Sequence, residues 1–258
     1  MEFKRRRGLP RTSLRPSVSF ILDDQARMSK ARNYFHWQTR LVLKELGRRV
    51  VEVGCGIGNF TGMLLDREMV IALDIEQDCV DRLLARYPNR PNLFATCCDA
   101  GSPALADLRR FHPDSCVCLN VLEHIADDHA ALAGMASILD PGGTIALIVP
   151  AFEALYGRFD HNLGHYRRYT RKSIVDLAAN VGLEVKTLHY LNLAGFFGWW
   201  VNSRLFHRES QSPGQIQFFD RFVAPVMSRV EEAIPPPFGL SLFAVLRTPV
   251  GERRDLPE

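Results

Sequence analysis

Three glycines stand at alternate positions directly after a short apolar run, in the sequence VVEVGCGIGNF of residues 50–60. Glycine carries no side chain, so this spacing lets the backbone turn tightly and approach a bound molecule closely. Short glycine motifs also mark ordinary tight turns, however. The motif therefore predicts a ligand-binding turn only if other polar residues converge on the same place.

A second group of chemically able side chains lies in the sequence FDHNLGHYRRY of residues 159–169. It holds one acid, two histidines, two arginines and two tyrosines, and it has neither the helical nor the strand period. Histidine titrates near neutral pH and can accept a proton in catalysis. The segment predicts a substrate loop. The alternative is that Arg167 and Arg168 are surface charges and that His165 is a capping or buried hydrogen-bonding residue.

Alternating strand and helix patterns must position both groups. Five short apolar runs predict strands, which are residues 50–53, 69–73, 93–97, 115–119 and 144–149. Helical patterns between and after them are residues 59–66, 76–86, 127–139 and 171–180, and two last strands are expected at 183–191 and 240–246. This order predicts an α/β fold with a doubly wound, mostly parallel sheet. Ligands bind such sheets beyond the carboxyl ends of the strands, where the glycine turn begins.

The length of 258 residues, with 47% hydrophobic and 24% charged, suits one large catalytic domain with appendages. The segment between the last two strands is too long for a hairpin loop, so it is expected to be an insertion with its own structure. The predicted units are a basic arm at 1–24, a helical lead-in at 25–47, a core at 48–191 plus 240–248, an inserted helical and aromatic segment at 192–239, and a tail at 249–258.

Positive charge is concentrated at the start of the chain, where the first sixteen residues hold six Lys or Arg and one Glu. Such an arm could touch nucleic acid or an anionic membrane, and the alternative is a solvated tail. The arm has no apolar stretch of the kind that secretory signals carry, and the six cysteines are typical of reduced core thiols. Both features predict a cytoplasmic protein.

The cysteines suggest one metal site, a zinc site made by Cys97, Cys98, Cys116 and Cys118. Neighbouring residues of a strand point to opposite faces of the sheet, so the first pair would chelate awkwardly. No metal is therefore expected.

The glycine turn departs from the G-x-G-x-x-G pattern of dinucleotide-binding folds, because its third glycine comes one residue early. It resembles the nucleotide-binding turn of class I S-adenosylmethionine-dependent methyltransferases of the small-molecule type, in a bacterial branch like types 11 and 12. Four further stretches resemble the family in the expected order, which are VIALDIE, CCDA, NVLEHI and LDPGGTIALIVP. The resemblance covers about residues 48–191 and the last strand, and it implies a Rossmann-like sheet of seven strands.

The resemblance implies S-adenosyl-L-methionine as the cofactor. Carried over by position, Asp74 would accept hydrogen bonds from both ribose hydroxyls, Asp99 and Ala100 would lie at the adenine, and Asn120 would flank the sulfonium. Tyr34 could close over the methionine carboxylate, although a core aromatic side chain is the alternative there. The implied cofactor-binding residues are Tyr34, Glu52, Gly54, Cys55, Gly56, Gly58, Asn59, Phe60, Asp74, Ile75, Asp99, Ala100, Asn120, Val121 and Leu122.

Methyl transfer is an in-line displacement, so the enzyme must align the acceptor with the methyl group and take a proton from a hydroxyl acceptor. His124 after the fourth strand, and His161 and His165 after the fifth, are the candidate bases. Asp160 could orient a neighbouring imidazole by accepting its other ring proton. Tyr166 is the alternative candidate for the general base if none of these histidines takes the proton.

An aromatic run, LAGFFGWWVNSRLF at residues 193–206, opens the predicted insertion. Its apolar part is shorter than the about 20 residues that span a bilayer. Trp199 and Trp200 could cover an apolar acceptor, contact a membrane peripherally, bury a homodimer contact or pack in the core. Quinone-pathway methyltransferases have comparable interfacial segments, which keeps a lipid-like acceptor among the candidates.

Three functions fit the sequence. The favoured one is a methyltransferase that modifies a hydroxyl of a small molecule, such as a sugar, polyketide, quinone or lipid-linked metabolite. The second is a nucleic-acid methyltransferase anchored by the basic arm, but enzymes that methylate base amino groups carry an Asn/Asp-Pro-Pro-aromatic motif where this chain has Asn120, Val121, Leu122 and Glu123. The third is a non-catalytic scaffold that binds S-adenosylmethionine.

Overall fold

A computed structural model of the protein describes residues 25–204 and 213–251. The side chains of residues 202–204 and 213 lie outside that description. So do the predicted basic arm at 1–24, residues 205–212 of the predicted insertion, and the predicted tail from residue 252 onward.

Seven strands form one sheet. They are β1 (Arg49–Val53), β2 (Met69–Asp74), β3 (Leu93–Cys97), β4 (Ser115–Leu119), β5 (Thr144–Pro150), β6 (Glu184–Leu191) and β7 (Ser241–Arg247). Their order across the sheet is β3-β2-β1-β4-β5-β7-β6. The first five run parallel, whereas β7 lies antiparallel between β5 and β6. The predicted fold class is thereby confirmed.

Helices pack on the sheet and on its edges. They are α1 (Arg32–Leu43), α2 (Gln77–Arg86), α3 (Asp128–Ile138), α4 (Arg158–Asn162), α5 (Arg171–Asn180), α6 (Leu193–Arg204), α7 (Pro213–Phe218) and α8 (Ala224–Ala233), with a π-helical turn at Phe219–Val223 between the last two. Successive side chains of a strand point to opposite faces. Val51 and Val53 accordingly pack in one core with α3 and α5, and Val50 packs in the other with α1 and α2.

Residues 59–66, predicted to form a helix, make only a short 3-10 turn at Thr61–Met63, so that prediction is wrong. Gly58 adopts a left-handed φ of 80°, which no regular helix contains. The hydroxyl of Tyr87 donates to the carbonyl of Gly58 at 3.0 Å and lies where a side chain at Gly62 would stand. Two glycines and the Tyr87 ring therefore outweigh the apolar spacing that suggested a helix.

Two buried carboxylates join the segment between β6 and β7 to the rest of the molecule. Glu231 of α8 accepts hydrogen bonds from the backbone N–H groups of Asn192 and Leu193, at 2.7 and 2.9 Å. Asp220, in the π-helical turn, accepts one from the backbone N–H of Tyr34 in α1 at 2.9 Å. The segment is therefore held against both the end of β6 and the lead-in helix.

Glu231→Ala is expected to lower the free energy of unfolding by about 1 to 3 kcal/mol, because two buried N–H groups lose their acceptor. Urea unfolding at neutral pH measures the change. The matched control is Glu232→Ala, since the neighbouring Glu232 makes a solvent-accessible ion pair with Arg40 at 2.6 Å that is worth less than about 1 kcal/mol. Equal losses in the two variants would show that Glu231 does not hold this segment.

Candidate functional site

A cavity of about 770 Å³ opens at the carboxyl edge of the parallel strands. Residues that follow β1, β2, β3 and β4 line it, together with Pro150 at the end of β5. The strands β1 and β4 are neighbours in the sheet, and the winding of the chain reverses between them. This is the position at which doubly wound sheets bind ligands, and the volume lies in the range of small-molecule sites.

The glycine turn forms the floor of the cavity beside β1. Gly54 and Gly56 both adopt left-handed backbone conformations, with φ of 76° and 51°. A Cβ at Gly54 would overlap the side chain of Val121, which follows β4. The N–H groups of Gly54 and Cys55 both donate to the carbonyl of Leu73 at 2.8 Å, so the turn is fixed to β2.

The carboxylate of Asp74 lies at the end of β2 and faces the turn. One oxygen accepts from the N–H of Gly56 at 2.8 Å, and the other accepts from the N–H of Glu76 at 3.0 Å. Burial raises the pKa of Asp74, and these backbone donors oppose that shift. A carboxylate has about four lone-pair positions, so both oxygens can still accept bonds from a ligand.

Glu52, on β1, is a second buried acid in the cavity wall. Its Oε2 accepts a hydrogen bond from the hydroxyl of Thr61 at 2.6 Å. Burial raises the pKa of Glu52 to about 8, against the opposing effect of Thr61. The side chain is therefore largely protonated and neutral at pH 7.

Most of the residues predicted to bind the cofactor converge on this one cavity. Those that line it are Tyr34, Glu52, Gly54, Cys55, Gly56, Asn59, Phe60, Asp74, Ile75, Asp99, Ala100, Asn120 and Val121. Two others do not line it. Gly58 faces the ring of Tyr87, and Leu122 is fully buried in the core below β4.

A cluster of ionisable side chains lines the cavity beside β4 and β5. Glu123 and His124 lie in the short 3-10 turn Leu122–His124 after β4, and His165 comes from the polar segment after β5. Nε2 of His165 is 3.9 Å from Oε1 of Glu123. The rings of His124 and His165 meet edge to face, with centroids 4.5 Å apart.

Asp160 lies behind this cluster and is fully buried. Its Oδ1 is 3.0 Å from Nδ1 of His165 and 2.8 Å from Nε of Arg168, and its Oδ2 accepts from the N–H of Gly157 at 3.0 Å. Burial alone would raise the pKa of Asp160, but His165 and Arg168 together bring it below its ordinary value. The carboxylate is therefore ionised, and it orients His165 so that Nε2 faces the cavity.

The two residues after β4 have strongly shifted pKa values. Burial, reinforced by the charge of His165, lowers the pKa of His124 to about 3, so its imidazole is neutral. Burial raises the pKa of Glu123 to about 7, with His165 opposing the shift. Oε2 of Glu123 accepts no hydrogen bond from any residue that the structure describes. A buried oxygen without a partner is costly and marks a place where a ligand atom could bind.

The remaining candidates of the polar segment differ in position. Tyr166 lines the cavity, and its N–H donates to the carbonyl of Glu123 at 2.8 Å. His161 is not among the residues that line the cavity. Arg168 is buried, so the alternative that it is a surface charge is wrong, whereas Arg167 is partly exposed and pairs with Asp128 at 2.6 Å. His165 is a largely buried hydrogen-bonding residue, as the same alternative had it.

Several cavity residues carried no recognisable signal in the sequence. Gln25, before α1, accepts a hydrogen bond from the N–H of Ile57 at 3.0 Å and so covers the glycine turn. Ser241 of β7 reaches the cavity from the far end of the chain. Trp199 of α6 also lines it, and the aromatic run had suggested this residue as one possible cover of an acceptor. Glu123 lies in the motif NVLEHI, and its place in that motif was the available signal.

The cysteines suggested for a zinc site are far apart. Cys97 is the last residue of β3 and Cys98 follows it, whereas Cys116 and Cys118 lie in β4. Two strands, β2 and β1, separate β3 from β4 in the sheet. Adjacent strands are about 4.8 Å apart, so the two pairs cannot share an ion. Within residues 25–204 and 213–251, no helix is long and apolar enough to cross a membrane.

The family model of the methyltransferase domain matches residues 15–188. A ubiquinone biosynthesis O-methyltransferase of Methylococcus capsulatus is 28% identical over 100 residues, which cover 38% of this chain and 42% of that protein. The chain spans about half the length, or less, of the curated relatives it matches.

Two solved structures share the fold at low identity. One is a chain in the complex of the Haloferax volcanii Trm112 methyltransferase activator with a methyltransferase, with a TM-score of 0.64, 19% identity, and coverage of 92% of this chain and 100% of that one. The other is the N-methyltransferase NodS of Bradyrhizobium japonicum in complex with S-adenosyl-L-homocysteine, with a TM-score of 0.51, 15% identity, and coverage of 88% of both chains.

The raised pKa of Glu52 predicts a pH-dependent stability of the ligand-free protein. The folded chain keeps the Glu52 proton up to about pH 8, whereas the unfolded chain loses it near pH 4.5. Between these values the unfolded state binds fewer protons, so the free energy of unfolding falls as pH rises.

Glu52→Gln should remove the part of this pH dependence that comes from the Glu52 proton. That part lowers the free energy of unfolding by up to about 1.4 kcal/mol for each pH unit. Urea unfolding at pH 5.5 and 7.5 tests it, with the exposed Glu184→Gln as control. Parallel pH dependence in wild type and Glu52→Gln would contradict the assignment.

Proposed function

The chain belongs to the methyltransferase domain family, and we propose that it transfers the methyl group of S-adenosylmethionine to a hydroxyl of a small, partly apolar acceptor. It is an S-adenosylmethionine-dependent enzyme. One observation carries the proposal about the acceptor. The cavity that holds the glycine turn and Asp74 is lined, on the side of β4 and β5, by the buried cluster of Glu123, His124 and His165.

The glycine turn and Asp74 fit S-adenosylmethionine. When bound, this cofactor supplies a methyl group on a positively charged sulfur. The left-handed backbone at Gly54 and Gly56 leaves bare peptide at the cavity floor, where the methionine end would lie. The remaining lone pairs of Asp74 suit the ribose hydroxyls, and Asp99, which also lines the cavity, would lie at the adenine.

The acceptor side combines apolar walls with a polar centre. Phe159 and Trp199 line the cavity there and pack edge to face, with ring centroids 5.0 Å apart. The imidazole of His165, oriented by Asp160, can bind a hydroxyl oxygen or take its proton. The pKa of His124 is lowered to about 3 by burial, so its neutral imidazole is suited to hydrogen-bonding the oxygen and not to taking the proton. The name of the Methylococcus capsulatus relative, a ubiquinone biosynthesis O-methyltransferase, supports a hydroxyl on an apolar ring as the class of acceptor.

The decisive experiment is transfer of isotope from methyl-labelled S-adenosylmethionine, with mass spectrometry of the product. The purified chain is incubated with phenols, catechols, quinols, sugars and amines. A labelled methyl ether identifies the hydroxyl acceptor and its class. Labelled product from amines alone, or from a nucleic acid added in parallel, would contradict the proposal.

Asp74→Ala is expected to weaken the binding of S-adenosylmethionine by about 1.5 to 3 kcal/mol, the scale of hydrogen bonds to a charged group. Isothermal calorimetry measures the dissociation constant. Asp78→Ala removes an exposed acid from the next helix and serves as the control, with an expected change below twofold. If Asp74→Ala melts like the wild type and binds the cofactor equally well, Asp74 does not hold the ribose.

The two adjacent tryptophans of α6 provide a matched pair for testing the acceptor wall. Trp199 lines the cavity and its ring nitrogen donates to the carbonyl of Leu155 at 3.2 Å, whereas 46% of Trp200 is exposed. Trp199→Ala should raise the KM for the acceptor that the isotope-transfer experiment identifies, and it should leave the dissociation constant of S-adenosylmethionine unchanged. Trp200→Ala should change neither value. Equal loss of acceptor and cofactor affinity in Trp199→Ala would indicate a role in the core.

A further inference from the structure

We propose that Glu123, His124 and His165 form a binding site for one divalent transition-metal ion, which holds the oxygen of the acceptor hydroxyl. This inference rests on the proposed function, because the ion would act on the acceptor of methyl transfer. In this proposal His124 and His165 bind the metal ion, whereas the sequence suggested them as general bases.

The three side chains present a suitable set of donor atoms. One atom from each, namely two imidazole nitrogens and one carboxylate oxygen, lies within 4.8 Å of the other two. Ligands that share an ion at about 2.1 Å lie roughly 3 to 3.5 Å apart, so small side-chain rotations would close the site. Two histidines and one carboxylate on one side of an ion leave the other positions open for an exogenous oxygen.

An independent observation points to a ligand at this place. Glu123 is 1% exposed, and its Oε2 has no hydrogen-bond partner among the residues that the structure describes. The same side chain lines the cavity. A buried carboxylate oxygen without a partner is unfavourable in the folded chain, and a cation beside it would remove that cost.

The surroundings of His165 match those of metal-binding histidines. Nδ1 of His165 meets the carboxylate of Asp160 at 3.0 Å, and Nε2 lies on the side of Glu123, 3.9 Å from Oε1. Metal-binding histidines ordinarily donate their other N–H to a carboxylate or a backbone carbonyl. Arg168 holds Asp160 in turn, at 2.8 Å.

A metal ion at this point would favour the ionised form of the acceptor, because cations lower the pKa of bound hydroxyl groups. The acceptor oxygen would lose its proton to water and keep its electron pair. As that pair forms the new oxygen–carbon bond, the sulfur–carbon bond breaks and its electron pair stays on sulfur. The metal ion would thus stabilise the negative charge on the acceptor oxygen, and no protein side chain would need to take the proton.

The test measures binding of Co²⁺ alone to the full chain, freed of any affinity tag and treated with chelator. Calorimetry gives the stoichiometry, and visible absorption reports the coordination. We expect one ion per chain, with loss of binding in Glu123→Gln and in His124→Ala. Asp160→Asn keeps all three ligands and changes the carboxylate that holds His165, Arg168 and the N–H of Gly157, so it should weaken binding roughly 10- to 100-fold.

His161→Ala is the matched control, because His161 belongs to the same polar segment but does not line the cavity. It should keep full Co²⁺ binding, as should Cys97→Ser, which removes an exposed thiol. Thermal unfolding and S-adenosylmethionine binding verify that each variant is folded. Absence of Co²⁺ binding in a wild type that binds the cofactor would overturn the proposal, and so would unchanged binding in folded Glu123→Gln and His124→Ala.

Methyl-transfer assays separate this inference from the proposed function. Transfer to a hydroxyl that survives complete chelation would remove the metal from the mechanism and leave the methyltransferase assignment intact. Stoichiometric Co²⁺ binding without transfer to any hydroxyl would support the metal site and contradict the proposed acceptor. Loss of transfer on chelation, restored by added Co²⁺, Mn²⁺ or Zn²⁺, is the expected result.

Discussion

The buried carboxylate of Asp160 organises the side of the cavity beside β4 and β5, where the acceptor is proposed to bind. A charge without access to water is tolerated only when several donors surround it, and Arg168, His165 and the N–H of Gly157 provide them. Arg168 also donates to the carbonyl of Ala151 beyond the end of β5, at 3.2 Å. One ion pair therefore fixes the polar segment to the sheet and sets the ring of His165 at the cavity wall.

The cofactor side depends on a different kind of constraint. Its parts are backbone groups of adjacent parallel strands and the turns between them, as in the bonds from Gly54 and Cys55 to Leu73 and from Gly56 to Asp74. These bonds form wherever a glycine turn follows β1 beside β2. The acceptor side instead needs side chains from distant segments, such as Trp199 of α6.

The five parallel strands could be predicted to within one residue at either end, because each is a nearly continuous apolar run. Four of them are almost entirely buried, and only β3 at the edge of the sheet is largely exposed. Patterns on the half-exposed elements were less informative. The spacing at 59–66 suggested a helix, but the segment makes only a 3-10 turn, beside the left-handed Gly58 and against the ring of Tyr87. Leu122 belongs to the quoted motif after β4, yet it points into the core while its neighbours Val121 and Glu123 line the cavity.

Local spacing along the chain was enough to predict the sheet, the glycine turn and the place of Asp74, because each is encoded by residues that are neighbours along one strand and its turn. The packing of distant segments brings His124 and His165 together and leaves His161 outside the cavity lining, and it is Trp199 rather than Trp200 that lines the cavity. Contacts between segments tens of residues apart cannot be read from local spacing. The ionisation of His124 and Asp160 is likewise set by their surroundings in the fold. Burial and the charge of His165 lower the pKa of His124, whereas His165 and Arg168 lower the pKa of Asp160 against the opposing effect of burial.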